Sequence, residues 1–153
     1  MSYRFEGQLT RTDERLTRVF PFDVPEDARH VNVRLRYDPV HTEGAALPQQ
    51  ISMSVYGPRG WVAEINTTRD RFEHGTDIGP DPSPGTPPSR IEPGPWTLFL
   101  STYRIVDAIV DFEIEVAFRN GGAVPSLPQP PEPAVPADRG PGWYRGDLHA
   151  HRL

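Results

Sequence analysis

The chain of 153 residues has no cysteine and no lysine. The first absence excludes disulfides and thiolate metal sites, and is compatible with a reducing compartment. The second leaves all sixteen basic residues as Arg, beside 19 Pro. Such a bias reads as the mark of a GC-rich genome, so single arginines are not taken as selected phosphate ligands. An excess of positive charge is also missing. The formal charge is −5 and the sequence pI about 5.5, which argues against a nucleic-acid partner. No apolar run approaches the length of a membrane span, and Met1 to Gly7 lacks the basic and apolar regions of a leader, so no membrane partner is expected and the chain reads as soluble and cytoplasmic. Finally, no stretch repeats its apolar residues at a helical period, which removes βαβ organisation with a parallel sheet.

What is present between Tyr3 and about Arg119 is alternation with period two, punctuated by turn residues. Tyr3, Phe5 and Leu9 alternate with Arg4, Glu6 and Gln8. Val19 to Val24 places Phe20, Phe22 and Val24 on one side, and its Pro21 predicts an edge position or a bulge. Val31, Val33, Leu35 and Tyr37 oppose Asn32, Arg34 and Arg36. Ile51 to Val55 leads through Tyr56-Gly57-Pro58-Arg59-Gly60-Trp61, a hairpin signal, into a strand from Trp61 to Ile65. Trp96, Leu98 and Leu100 alternate with Thr97, Phe99 and Ser101. The last strand, about Ala108 to Arg119, sets Phe112, Ile114, Val116 and Phe118 against Asp111, Glu113 and Glu115. Its acidic face would complement Arg34 and Arg36 if the two strands were neighbours. Seven or eight strands with one apolar face each predict an all-β fold, an antiparallel β-sandwich that is jelly-roll-like.

Two segments break the alternation. Thr67 to Arg90 is polar and dense in Gly and Pro, and reads as a long solvated, mobile loop rather than as sheet. It carries Glu73, His74, Asp77 and Asp81, residue types that ligate metals, but their spacing matches no calcium-loop pattern. Gly121 to Pro141 contains seven prolines and predicts polyproline II, a semi-rigid spacer or a strap along the sandwich. The organisation expected is a β-sandwich over 1–120, a Pro-rich linker over 121–141, and a distinct final segment over 142–153.

That final segment reads Gly142-Trp143-Tyr144-Arg145-Gly146-Asp147-Leu148-His149-Ala150-His151-Arg152. On an extended chain His149 and His151 project to one face, with Leu148 and Ala150 on the other. Two imidazoles so placed suit a metal, and Asp147 could be a further ligand or could orient a ring through its second nitrogen.

This string resembles the opening of the PHP (polymerase and histidinol phosphatase) domain, and is most similar to metallohydrolases of the carbaryl-hydrolase type, in which a β domain precedes a catalytic barrel. The resemblance implies that His149 and His151 are metal ligands and that Asp147 ligates or supports them. It implies a cluster of divalent metal ions (Zn, Mn or Fe) that activates water for phosphoester or related hydrolysis. The family continues with a threonine and a Ser-Asp-Gly-like stretch, whereas Arg152 and Leu153 stand here. The barrel with its remaining ligands is the missing partner, so the chain alone is expected to be inactive and to bind no metal stably. The function expected is therefore that of a non-catalytic N-terminal β-sandwich of such a hydrolase. The alternative is a β-sandwich binding module for carbohydrate or protein, with Trp61, Trp96 or Tyr103 as a stacking platform.

Overall fold

The computed structural model describes residues 2–43, 47–66 and 73–121. Eight strands run in the order β1 (Ser2–Leu9), β2 (Thr17–Val24), β3 (Ala28–Tyr37), β4 (Gln50–Gly57), β5 (Gly60–Asn66), β6 (Glu73–Ile78), β7 (Gly94–Arg104) and β8 (Val110–Asn120), with one 3-10 turn at Arg11–Asp13. None of the described residues is in an α-helix, and no helix among them is long and apolar enough to cross a membrane.

The strands form two four-stranded sheets, ordered β1-β8-β3-β6 and β2-β7-β4-β5, with every pairing antiparallel. Successive strands change sheets at every connection except the β4–β5 hairpin. That ordering is the eight-stranded jelly roll. The all-β sandwich expected from the alternation is therefore the fold found.

Alternation supplies the core. Val31, Val33 and Leu35 of β3 and Ile114 and Val116 of β8 face Ile51, Met53 and Val55 of β4 and Leu98 and Leu100 of β7, all fully buried. Each such side chain stabilises the fold by about 1.5–3 kcal/mol relative to exposure. The side of the sandwich where β1 faces β2 is closed by rings. Phe5 lies 5.2 Å from Phe20 and Tyr3 5.9 Å from Phe22, centroid to centroid. Pro21 sits on β2, which is an edge strand as its lost N–H requires.

One expectation is corrected. Glu73–Ile78, inside the stretch read as a loop, is a strand paired with β3 from Val31↔Ile78 to Arg36↔Glu73. Thr76 and Ile78 are buried while Glu73 and Gly75 face water. The alternation is there, but Ile78 is the only large apolar residue that carries it. The following residues fold back on this strand, since Ser83 N–H donates to Asp77 O and Ser89 N–H to Gly79 O.

Candidate functional site

The residues singled out for metal chemistry, Asp147, His149 and His151, lie outside the described residues, as do 122–141. Among the described residues no three His, Asp or Glu side chains are grouped to hold a metal ion. The set Glu73, His74, Asp77 and Asp81 is split by the strand itself. Glu73 and Asp77 project to one face of β6 and His74 to the other. The two acids are engaged by arginines, Glu73 with Arg34 at 3.4 Å and Asp77 with Arg119 at 3.1 Å.

The two outer faces of the sandwich differ in kind. On the first sheet the outward positions of β1, β8 and β3 bring Arg4, Glu6, Glu113, Glu115, Arg34 and Arg36 together. The register sets Arg34 opposite Glu115 and Arg36 opposite Glu113, so the adjacency suggested by the charge pattern exists. Glu113 is the hub. It accepts from Arg4 and, at 3.2 Å, from Arg36, and its side chain is only 16% exposed. Arg4 also reaches Glu6, and these two acids hold the Arg4 proton more firmly than usual, Glu113 first. The hollow above this network measures about 930 Å³. Its carboxylates all have partners: Glu6 and Glu113 arginine, Glu73 Arg34, Asp111 as acceptor from Gln8 Nε2 at 2.9 Å, and Asp38 as acceptor from Asp111 N–H at 3.2 Å. A proton-transfer pair needs two groups held in different protonation states. Glu6, Glu73 and Glu113 stand in ion pairs, while Asp38 and Asp111 accept from neutral donors.

The outer face of the second sheet is nearly free of charge. Outward positions hold Val19 and Pro21 on β2, Thr97, Phe99 and Ser101 on β7, Ser52, Ser54 and Tyr56 on β4. Among these described positions the charges are Asp23 and Glu64, both on edge strands; Arg104 ends β7 opposite Gln50, and the Arg59–Glu92 pair, 2.9 Å apart, borders the cleft beside Trp61. A bulge turns Trp61 to this face. The register steps from Val55↔Ala63 to Tyr56↔Trp61, Val62 packs against the core, and Trp61 stands opposite the outward Tyr56, 52% exposed. The Tyr56 ring meets Phe99 edge-on at 5.1 Å. Trp61, Tyr56, Phe99 and Val19 thus cross the sheet diagonally. At the hairpin end Trp61 also borders a cleft of about 270 Å³ with Val62, Pro87 and Pro88.

The platform foreseen from Trp61, Trp96 and Tyr103 is not assembled. Trp96 is 2% exposed, with its Nε1–H donated to Glu92 O at 2.8 Å. Tyr103 is exposed on the same face as Trp61, but six residues along β7 from the row that holds Trp61, about 20 Å away. The neighbours that Trp61 does have, Tyr56 and Phe99, were not singled out. Phe99 carried a signal: it is the one large apolar residue in the outward column between Thr97 and Ser101.

Neither a protein-family model nor a curated protein matches the chain. What the site can do rests on its own chemistry.

Proposed function

We propose that the jelly roll is the non-catalytic accessory domain of a PHP-type metal-dependent hydrolase, and that Asp147, His149 and His151 open the metal site of a barrel that would follow. The observation that carries this reading is the string Gly142 to His151, placed after a Pro-rich tether and a β domain. The donor set fits a borderline or hard divalent ion, since it offers two imidazoles and a carboxylate without a thiolate. Such an ion would supply Lewis-acid activation of water. In this chain His149 and His151 would hold the ion, and Asp147 would ligate it or fix an imidazole tautomer.

The test begins by reading the source DNA beyond codon 153 in all three forward frames. A frame encoding further His and Asp motifs would be expressed whole and assayed on an aryl phosphate ester with Mn, Zn or Fe. Hydrolysis that depends on added metal, and that His149→Ala and His151→Ala each abolish, is the expected result. Absence of such a frame, or hydrolysis untouched by both substitutions, would overturn the reading.

A further inference from the structure

We propose that residues 124–136 of this chain bind in cis across the charge-poor outer face of the second sheet, as a polyproline II strap over Trp61, Tyr56, Phe99 and Val19. The proposal is independent of any catalytic role for the residues that follow.

The first observation is periodicity. Polyproline II has three residues per turn, and at that period the sequence sorts into columns. Leu127, Pro130, Pro133 and Pro136 make one, with Val124 before them. Pro125, Pro128 and Pro131 make a second, continued by Ala134. The third holds Ser126, Gln129 and Glu132, with Val135 its one apolar member before Asp138. A segment that merely separated two domains would have no need of this sorting. Two apolar columns and one polar column suit a strap with one side in water.

The second observation is the complementary surface. Aromatic-lined surfaces recognise polyproline II because its rings are pre-ordered and lose little entropy on docking. Trp61, Tyr56, Phe99 and Val19 span four strands, about 14 Å at the usual spacing. Seven residues of polyproline II cover about 22 Å. Charge selects the same face. Between 124 and 136 the only charged residue is Glu132, in the polar column. Covering the first sheet's outer face would instead strip water from Arg34, Arg36 and their acids with nothing to replace it.

The third observation is where the described chain ends. Asn120 is opposite Ala28, at the start of β3, four residues after Val24 at the end of β2. Val24 is opposite Gly94, three residues from Thr97, which pairs with Tyr56. Gly121 therefore leaves from the end of the sandwich that carries Tyr56 and Trp61. The sheets are about 10 Å apart. From Gly121 to Val124 the chain, extended, covers about 10 Å, enough to round that end.

The absence of cysteine makes the test direct. A nitroxide on Ser126→Cys, in the polar column, places a paramagnetic centre on the strap without blocking its apolar sides. In the full 153-residue chain labelled with ¹⁵N, the expected result is loss of the Trp61 Nε1 signal and of amide signals from Ser54, Tyr56 and Thr97. Arg34 and Glu115 amides, on the other outer face, should keep theirs. Trp61→Ala with Tyr56→Ala should restore Ser54 and Thr97. Weak broadening spread over both faces, or broadening centred on the first sheet, would overturn the proposal. So would loss of signal when the spin label is carried only by an unlabelled second copy, since the segment would then bind in trans.

Discussion

Asp107 gives the sharpest test of how the connections are held. It lies between β7 and β8 and is buried, and its carboxylate is held by hydrogen bonds. Its partners are the loop after β3. Oδ2 accepts from His41 N–H and Oδ1 from Thr42 N–H, both at 2.8 Å, and Oδ1 also takes the Thr42 hydroxyl. Asp107→Ala leaves three donors without an acceptor. At a net contribution of about 1 kcal/mol each, more with a charged acceptor and less where water enters, the loss is about 2–3 kcal/mol. For a domain of this size that lowers Tm by roughly 10 °C. Asp107→Asn keeps the shape but loses the charge and turns an NH₂ toward a donor, for a loss of about 1–2 kcal/mol. The Thr42 hydroxyl first, then the two amides, hold the Asp107 carboxyl below the usual carboxylate range. A depressed folded value means that the stabilisation is complete above the unfolded value of about 3.9 and is lost as pH falls through the lower folded one. The cost of Asp107→Asn, measured by urea denaturation, should therefore shrink between pH 7 and pH 3. A cost that is the same at both, or Asp107→Ala costing under about 0.5 kcal/mol, would refute the reasoning.

Three further outcomes are expected. A Cβ on Gly79 would lie 2.6 Å from His30 Nδ1 and 3.0 Å from the Arg29 carbonyl oxygen, so Gly79→Ala should destabilise by about 1–3 kcal/mol in denaturant, and a neutral effect would show that the β6 exit can shift freely. Arg34→Glu sets a carboxylate against Glu115 and Glu73; about 0.5–1.5 kcal/mol should be lost at low salt, and much of it recovered at 1 M, where the screening length is about 3 Å. A loss unaffected by salt would mean that packing, not charge, is at stake. The Arg18 guanidinium, 2.7 Å from Asp13, together with Thr10, holds the Asp13 carboxyl low; a carbon-detected titration should find it so, and Arg18→Gln should raise it.

How far the fold was legible depends on how many large apolar residues each strand spends on its inner face. β3, β7 and β8 spend three or more, and their alternation gave the sandwich and suggested that the face with Arg34 and Arg36 lies beside the acidic face of β8; the residue pairing came only with the register. β6 spends one, Ile78, and is held mostly by its backbone register with β3, which leaves no apolar period to read. The aromatic face was misread for a related reason. Trp96 belongs to the same column as Leu98 and Leu100, and that column is the core. The outward turn of Trp61 depends on a one-residue bulge, and a bulge changes which residues share a face without changing composition. The string from Gly142 to His151 is a different kind of signal, local and chemical, and it owes nothing to the sandwich before it.

The contrast between the two outer faces bears on whatever else this domain contacts. On the first sheet each exposed pair contributes little to stability, on the order of 0.2–1 kcal/mol. The same pairs make that face costly to cover, because a partner would have to displace water from Arg34, Arg36 and Glu113 and supply matched groups in return. On the second sheet the outward groups are mostly hydroxyls, rings, Pro21 and Val19. Asp23 and Glu64 sit at the two edges where they would stay in water, Arg104 lies at the far end of β7, and Arg59 beside Trp61 is already paired with Glu92. That face can be covered without leaving a charge unpaired. A partner barrel, an external ligand and the chain's own Pro-rich segment would all meet this preference, and the segment meets it at the highest effective concentration, since it is tethered at the same end of the sandwich. Any external ligand for Trp61 and Tyr56 must then displace the strap. Its affinity should rise when Pro128, Pro130 and Pro131 are replaced by serine, and an affinity unchanged by those substitutions would separate the two sites.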